Sequence, residues 1–269
     1  MDWSAQAGGA PASYEEFLVP AMFAPFAERL VRRAAVEPGS FVLDVACGTG
    51  AVSRAAARRA GARGSVTSVD LGEPMLAMAR ARAAEDGAAR IEYLQSDAAA
   101  LPFDDEVFDI ALCQQGLQFF PDRPAALAGM RRVLKSSGRL AVATWTDIEH
   151  SPFIAIVDAL ARHVGREAAE MMRSPFGLAD GVQLAGVVSA AGFRDVVVDD
   201  ETIECTWASH AEFARRVIAA GPVASVFAAA NEDAQIAVAE EVAARLAPHA
   251  APDGGLRMPM TSNVALARR

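Results

Sequence analysis

Three aspartates stand at the ends of short apolar runs, and they are the residues of this chain best suited to hold a ligand. Asp44 lies near the end of the first run, which continues into Cys47-Gly48-Thr49-Gly50, and Asp70 and Asp97 follow the next two runs. Glycines after a strand let the backbone approach a ligand, and the helix N-terminus beyond them favours an anionic group. A carboxylate beside that turn repels a pyrophosphate but attracts an ammonium group. The combination favours a nucleoside that carries an amino acid over a dinucleotide.

The same residues allow two other interpretations. An isolated aspartate after a strand is usually a helix N-cap or a turn residue. However, Asp70 follows the glycines by about 20 residues, where nucleotide-binding folds place an acid that accepts hydrogen bonds from ribose hydroxyls. The stretch after Asp44 lacks the third glycine of the dinucleotide fingerprint, so a nicotinamide oxidoreductase is the weaker alternative.

The elements that position these acids alternate between apolar runs and helical patterns. The predicted strands are 41–46, 65–69, 91–94, 107–113, 139–145, 195–203 and 256–265. The predicted helices are 51–60, 74–85, 123–134, 182–191, 209–220 and 231–246, and two or three short helices are predicted within 13–36. Such alternation is typical of an α/β fold with a parallel sheet covered on both faces. Ligands bind at the carboxyl ends of such strands, so the three aspartates are expected to converge.

Composition and charge exclude several classes of protein. The hydrophobic set makes up 52% of the 269 residues, which excludes disorder over most of the chain. The formal net charge of −9 disfavours a nucleic-acid binder that relies on a basic face. Cys47, Cys113 and Cys205 are too scattered for a disulfide framework, and no Cys/His cluster offers a metal site. Residues 1–11 do not resemble a signal peptide and no long apolar run follows, so we expect a soluble cytoplasmic protein without a membrane span.

Four segments together resemble the class I S-adenosylmethionine (SAM) dependent methyltransferases. Within that family the likeness is to the small-molecule group that includes the ubiquinone/menaquinone C-methyltransferases. The segments are VLDVACGTG (42–50), VDLGEPML (69–76), DAAALPF (97–103) and FDIAL (108–112). They follow the order found in the family, and the likeness covers roughly residues 14–145. The resemblance implies a Rossmann-like, doubly wound, seven-stranded and mostly parallel sheet with an N-terminal helical lid and a helical cap insertion.

The resemblance also implies roles for individual residues in binding SAM and its product S-adenosylhomocysteine. Asp44 and the loop 46–50 would hold the methionine moiety, and Asp70 would hold the ribose. The full predicted set is Tyr14, Asp44, Ala46, Cys47, Gly48, Gly50, Asp70, Leu71, Met75, Ser96, Asp97, Ala98 and Gln114. Ala46 replaces the first loop glycine of the family, which is tolerated unless that residue needs a positive φ.

The acceptor side is marked by fewer signals. The predicted acceptor-binding residues are Gln118, Phe119, Trp145, His150 and Met172. Gln114 or Gln115 could bond the cofactor and Gln118 could face the acceptor, but a loop glutamine is more often solvated. Phe119 suits a pocket wall better than a recognition box. His150 is the histidine placed where a general base would be useful, although a lone histidine is more often structural. The catalytic residue is unassigned, because a sulfonium is already an activated donor and alignment alone lowers a barrier by about 7–11 kcal/mol.

These observations predict four regions and one activity. The regions are a lid (1–37), a SAM-binding core (38–147), a cap (148–180) and a completion of the core with extra helices (181–269). The predicted activity is methyl transfer to oxygen or carbon of a small, largely apolar acceptor, without nucleic-acid partners. The alternative is a protein that binds SAM but serves as a binding protein or catalyses another rearrangement. The late helices leave a homodimer open.

Overall fold

Seven strands form one sheet in the computed structural model, which describes residues 11–82 and 86–269. The strands are β1 (Phe41–Val45), β2 (Ser65–Asp70), β3 (Arg90–Gln95), β4 (Phe108–Gln114), β5 (Leu134–Trp145), β6 (Arg194–Trp207) and β7 (Leu256–Arg268). Their order is β3-β2-β1-β4-β5-β7-β6, and β7 runs antiparallel to both of its neighbours, β5 and β6, whereas the other pairs are parallel. The predicted seven-stranded, mostly parallel sheet is therefore confirmed. The strand order reverses between β1 and β4, which is where an open α/β sheet forms its ligand crevice.

The described part of the chain holds ten α-helices, beyond the short helical pieces. They are α1 (Ala24–Arg33), α2 (Ala51–Ala60), α3 (Glu73–Arg80), α4 (Arg123–Val133), α5 (Ile154–His163), α6 (Arg166–Arg173), α7 (Gly181–Ala190), α8 (His210–Ala220), α9 (Ala224–Ala229) and α10 (Glu232–Leu246). A three-residue α-helical turn (Pro11–Ser13) and a π-helical stretch (Tyr14–Phe23) lead into α1, and we call residues 11–23 the N-terminal segment. None of the described helices is long and apolar enough to cross a membrane.

Alternate residues of the central strands pack against helices on opposite faces of the sheet. Val42 joins a buried cluster with α1 and α2, whereas Leu43 and Val45 join a second cluster with α4 and α7. This is the doubly wound arrangement, in which a strand buried on both faces has an almost continuous apolar sequence.

A third buried cluster lies beyond the carboxyl edge of the strands. It combines α5, α6, α8, α9 and α10 with the ends of β6 and β7, and with Phe17, Leu18 and Met22 of the N-terminal segment. Aromatic rings are central to it, since Trp207 and Phe213 lie 4.9 Å apart and Phe153 lies 5.9 Å from Phe213. The late helices therefore share one core with residues of the 148–180 region and with the N-terminal segment.

Element boundaries differ from the predicted ones for local reasons. β5 begins at Leu134 rather than at residue 139, because Leu134 already pairs with Phe108 across a register shift in β4. Ser209 and Asn231 were counted as helical, but each is an N-cap whose side chain accepts a backbone hydrogen bond. The predicted helix 74–85 ends at Arg80, and residues 83–85 lie outside the described part of the chain. α9 was not predicted.

Candidate active site

A cavity of about 460 Å³ opens at the carboxyl ends of β1, β2 and β4. One end lies against the turn that follows β1, and we call it the turn end. The other end reaches the third cluster and is walled by Phe23, Trp145, Phe153 and Phe176, so we call it the aromatic end. The cavity is continuous, and the N-terminal segment covers it through Tyr14, Leu18, Met22 and Phe23.

The turn after β1 holds three left-handed residues within five positions. Ala46 has a φ of 58°, Gly48 of 56° and Gly50 of 85°. A Cβ at residue 50 would lie 2.7 Å from the Tyr93 hydroxyl, so glycine is required there for space as well as for conformation. The φ of Ala46 is positive, which is the condition under which alanine was expected to be unfavourable at this position. The left-handed region costs an L-residue with a Cβ about 1–2 kcal/mol.

Asp70 ties this turn to the start of α3. Its Oδ2 accepts a hydrogen bond from the Gly48 amide at 2.7 Å, and its Oδ1 accepts one from the Gly72 amide at 2.8 Å. The residue lines the cavity, and burial raises the pKa of its carboxyl. Each carboxylate oxygen has a second lone pair, so the group is able to accept two hydroxyl hydrogen bonds while it holds the turn.

Asp44 lies behind the turn rather than on the cavity surface. It is 1% exposed, and its Oδ2 accepts a hydrogen bond from the Ser53 hydroxyl at 2.6 Å. Ser68 donates in turn to Ser53 at 2.9 Å. Burial raises the pKa of Asp44 to about 7, and the nearby Asp70 carboxylate adds to the shift. A positive charge in the cavity would therefore favour the ionised form of Asp44.

Three buried polar atoms around the turn have no hydrogen-bond partner among the described residues. They are Asp44 Oδ1, Thr49 Oγ1 and Gln114 Oε1. The Gln114 amide nitrogen, in contrast, donates to the Phe23 carbonyl at 3.0 Å and so links β4 to the N-terminal segment. Two of the three unpaired atoms are acceptors only, and a buried acceptor without a donor costs about 1–3 kcal/mol. Gln114 lines the cavity, so the ammonium group of a ligand would supply a donor to its Oε1, while the charge of Asp44 would act from behind the turn. The turn end therefore fits the methionine moiety of SAM.

The residues after β2 and β3 form the other wall of the turn end. Leu71, Met75, Ser96, Asp97 and Ala98 all line the cavity. Leu71 is a large apolar side chain that remains 46% exposed, as expected of a residue that a flat apolar ligand group would cover. Asp97 is the N-cap of the short helix Ala98–Ala100, where its side chain accepts from the Ala99 amide at 2.9 Å. Both the cap and the binding interpretation are compatible with that position.

The N-terminal segment is fastened over the turn end by ion pairs. Glu15 is buried, and its Oε1 lies 3.0 Å from Arg54 Nη2 and 3.2 Å from Arg82 Nε. Arg54 also donates to the Thr49 carbonyl at 2.6 Å, which connects the segment to the turn itself. Tyr14 lines the cavity, and burial together with the charges of Glu15 and Asp70 keeps the pKa of its phenol above the usual range.

The structure brings most of the predicted site residues to the cavity. Those that line it are Tyr14, Ala46, Cys47, Gly48, Asp70, Leu71, Met75, Ser96, Asp97, Ala98, Gln114, Phe119, Trp145 and Met172. Asp44 and Gly50 support the turn from behind. Gln118 and His150 do not reach the cavity surface.

Gln118 and His150 point elsewhere for reasons of local geometry. Gln118 is buried, and its amide nitrogen donates to Gln115 Oε1 at 3.3 Å, so that Gln115 is the glutamine on the cavity wall. Ile148 takes the inward position of the short helix Ile148–His150, which leaves 85% of the His150 side chain exposed. His150 is therefore not placed to act as a general base in the cavity.

Comparisons with known proteins agree with this geometry. Residues 23–175 match the model of the ubiE/COQ5 methyltransferase family. Nocamycin O-methyltransferase of Saccharothrix syringae is 34% identical over 198 residues, which cover 68% of this chain and 69% of that protein. The ubiquinone/menaquinone biosynthesis C-methyltransferase UbiE of Serratia proteamaculans is 34% identical over 173 residues, or 60% and 69% of the two chains.

A similar fold is found in phosphoethanolamine N-methyltransferase 2 of Haemonchus contortus, which was solved in complex with SAM. The TM-score is 0.57 at 20% identity, and the match covers 91% of this chain and 52% of that one. At that identity the likeness concerns the fold alone.

Proposed function

Because the chain belongs to the ubiE/COQ5 methyltransferase family and is a SAM-dependent methyltransferase, we propose that its acceptor is a small, largely apolar molecule methylated at oxygen or carbon. The observation that carries this proposal is the continuity of the cavity. Its turn end has unpaired acceptors that suit SAM, and its aromatic end is walled by Phe23, Trp145, Phe153 and Phe176. Such a wall suits a planar apolar acceptor.

The chain's own residues would bind SAM in an extended pose along the carboxyl ends of β1 to β3. Asp70 would accept hydrogen bonds from the ribose hydroxyls. Leu71 and Met75 would cover the face of the adenine. Asp97 and the Ala98 amide would contact the edge of the adenine. Gln114 Oε1 would accept from the ammonium group, with Asp44 supplying negative charge from behind the turn. When bound there, SAM supplies an electrophilic methyl group on a positively charged sulfur.

The remaining contribution of the protein is to align the acceptor and to exclude water. The residues described as lining the cavity include no histidine, lysine, arginine or glutamate, and its two aspartates are engaged at the turn end. We therefore assign catalysis mainly to proximity and alignment, which contribute about 7–11 kcal/mol in well-oriented systems. The N-terminal segment and the 148–180 region would act as lid and cap over the reacting atoms. Predicted lid residues 1–10 lie outside the described part of the chain.

The three thiols support the expected cytoplasmic location. Cys47, Cys113 and Cys205 are buried and unpaired, as is usual for a chain that works in a reducing compartment.

The direct test of acceptor chemistry is methyl transfer from isotopically labelled SAM to a panel of phenols, quinones and polyketide-like molecules, followed by mass spectrometry of each product. The proposal expects label on oxygen or carbon of an apolar panel member. Label that appears only on amine nitrogens, or on no small molecule while SAM binds, would contradict it.

A further inference from the structure

Gln115 lines the cavity, and the binding pose assigned to SAM above gives it no role. It directly follows β4, and its amide donates to the Ala143 carbonyl at 2.8 Å, which continues the β4–β5 ladder by one residue. Its φ is 56°, a left-handed conformation that is unfavourable for a side chain with a Cβ. Such outliers in a structure often accompany functional positions.

The residue after Gln115 packs closely against the turn after β1. A Cβ at the next residue, Gly116, would lie 2.6 Å from the Ala46 Cβ and 3.0 Å from Cys113 Sγ. Residue 116 therefore lies against the turn that fits SAM, and Gln115 is its neighbour in the chain.

Hydrogen bonds at both the nitrogen and the oxygen of the Gln115 carboxamide hold this group in place. Its Nε2 donates to the Ser262 hydroxyl at 2.7 Å, and its Oε1 accepts from Gln118 Nε2 at 3.3 Å. The residue is only 7% exposed, and it lines the cavity. Each carboxamide atom retains one unused hydrogen-bonding position, namely a second hydrogen on nitrogen and a second lone pair on oxygen.

Apart from its partners Ser262 and Gln118, the carboxamide shares the cavity with large apolar side chains. Phe119, Trp145 and Met260 line the same cavity. An oxygen atom of the acceptor that entered this part of the cavity would lose its bonds to water, which is unfavourable unless a protein group replaces them. Gln115 is able to replace two of the lost hydrogen bonds to water at once, one as a donor and one as an acceptor.

We propose that Gln115 is the residue that recognises and positions the acceptor, and that it selects molecules with a hydroxyl group next to a carbonyl on a planar ring. This inference rests on the proposed function, because it assigns the acceptor of the same cavity. The carboxamide donates its one unused hydrogen to the carbonyl and accepts from the hydroxyl, or shares that hydrogen between the carbonyl and the ionised oxygen, and so holds the neighbouring nucleophilic atom near the turn end. A site built around such hydrogen bonds rejects analogues that lack the partner group.

The test compares matched acceptors in matched variants. The acceptors are tropolone with phenol, and 2-hydroxy-1,4-naphthoquinone with 2-naphthol, so that one member of each pair has a carbonyl beside the hydroxyl. The variants are Gln115→Leu, Gln115→Gly and the exposed control Gln183→Leu. For each pair we would measure the ratio of the two kcat/KM values, because the intrinsic reactivities of the two acceptors cancel when that ratio is compared between variants.

Wild type and Gln183→Leu are expected to prefer the carbonyl-bearing member, and both Gln115 variants are expected to reduce that preference by about tenfold or more. The loss should appear mainly as a higher KM for the carbonyl-bearing acceptor. Gln115→Gly relieves the left-handed backbone but loses the hydrogen bonds to Ser262 and Gln118, so the two effects oppose each other and its unfolding temperature should stay close to that of wild type. Impaired recognition in a variant that is as stable as wild type would separate a positioning role from a structural one.

Three results would overturn this assignment. They are an unchanged preference in both Gln115 variants, a loss that affects both members of a pair equally, and no transfer to either carbonyl-bearing acceptor by wild-type protein that binds SAM. Calorimetric titration of every variant with SAM accompanies the assay. Wild-type protein that failed to bind SAM would contradict the proposed function instead, so the two failures are distinguishable.

Discussion

Ala46 and Gly116 face each other across the carboxyl ends of β1 and β4, so closely that the site accommodates a methyl group on only one of them. A Cβ at residue 116 would lie 2.6 Å from the Ala46 Cβ. The residue that carries the methyl group has a positive φ of 58°, whereas Gly116 does not. The alanine is thus at the position where a Cβ is conformationally unfavourable, and the glycine opposite makes room for it.

Ala46→Gly is expected to raise the free energy of unfolding by about 0.5–1 kcal/mol. Relief of the left-handed conformation is worth about 1–2 kcal/mol. This relief exceeds the free-energy cost of the extra conformational entropy that glycine has in the unfolded chain, which is about 0.4–1 kcal/mol. Urea unfolding measures the change, and Ala244→Gly in the exposed face of α10 should show the opposite sign, a loss of about 1 kcal/mol. A loss in Ala46→Gly of the size seen in that control would contradict the strain argument.

Gly116→Ala is expected to destabilise the protein by about 1–3 kcal/mol, because an extra methyl group in a closely packed site forces its neighbours apart. The double variant with Ala46→Gly should recover part of this loss, with a coupling energy of about 0.5–3 kcal/mol. Recovery will be incomplete since Cys113 Sγ would still lie 3.0 Å from the new Cβ. Strict additivity of the two substitutions in urea unfolding would show that the residues do not compete for space.

The raised pKa of Asp44 predicts a pH dependence of stability with a definite sign. The folded state holds the proton up to about pH 7, whereas the unfolded carboxyl releases it near its usual value of 3.8. The folded state therefore binds more protons over this interval, and stability falls as pH rises from about 4 to 7. Between pH 5 and pH 8 the contribution of this group is roughly 2–3 kcal/mol. Asp44→Asn should remove that decrease.

Urea unfolding of wild type and Asp44→Asn at pH 5 and pH 8 measures this contribution, since the other titrating groups are common to both proteins. The stability of the variant relative to wild type should increase between the two pH values. The same difference at both pH values would mean that Asp44 is ionised throughout.

Glu15 is expected to slow the dissociation of the product, S-adenosylhomocysteine. Its buried carboxylate pairs with both Arg54 and Arg82 and fastens the N-terminal segment over the turn end. Removing one partner of a buried ion pair is costly, so Glu15→Gln should loosen the segment and raise the dissociation rate of S-adenosylhomocysteine about tenfold. Stopped-flow displacement followed by tryptophan fluorescence measures the rate, because Trp145 lines the cavity.

The matched control for this experiment is Glu16→Gln. Glu16 pairs with Arg216 on the exposed side of the same segment, with 74% of its side chain in solvent. Exposed pairs contribute little, so its dissociation rate should stay near that of wild type. Equal rates in wild type and Glu15→Gln would show that the segment does not limit product release.

Much of the fold was predictable because its signals are local. Strands buried on both faces have short apolar sequences, and the glycine turn with Asp44 and Asp70 follows them at fixed spacing. The carboxyl ends of parallel strands meet at one edge, so the turn end of the cavity could be assembled without coordinates.

The aromatic end was harder to predict because its walls come from distant parts of the chain. Phe23, Trp145 and Met260 belong to separate elements, and periodicity does not show which of their side chains share a cavity. Gln118 was predicted to contact the acceptor, whereas Gln115 is the glutamine of the two that lines the cavity. The backbone of Gln115 is left-handed, a conformation that glutamine rarely adopts and that the sequence does not indicate. His150 was predicted to lie near the cavity because it follows β5 closely in the sequence, but its side chain faces solvent.

The central claim is that the turn end binds SAM through Asp70, and isothermal titration of the purified protein with SAM and S-adenosylhomocysteine tests it most directly. We predict micromolar binding of both, weakened about tenfold or more in Asp70→Ala because hydrogen bonds to the ribose and to the Gly48 and Gly72 amides of the turn are lost. The exposed control Asp105→Ala should bind as wild type does. Folded wild-type protein that binds neither ligand, or an Asp70→Ala variant with unchanged affinity, would contradict the account.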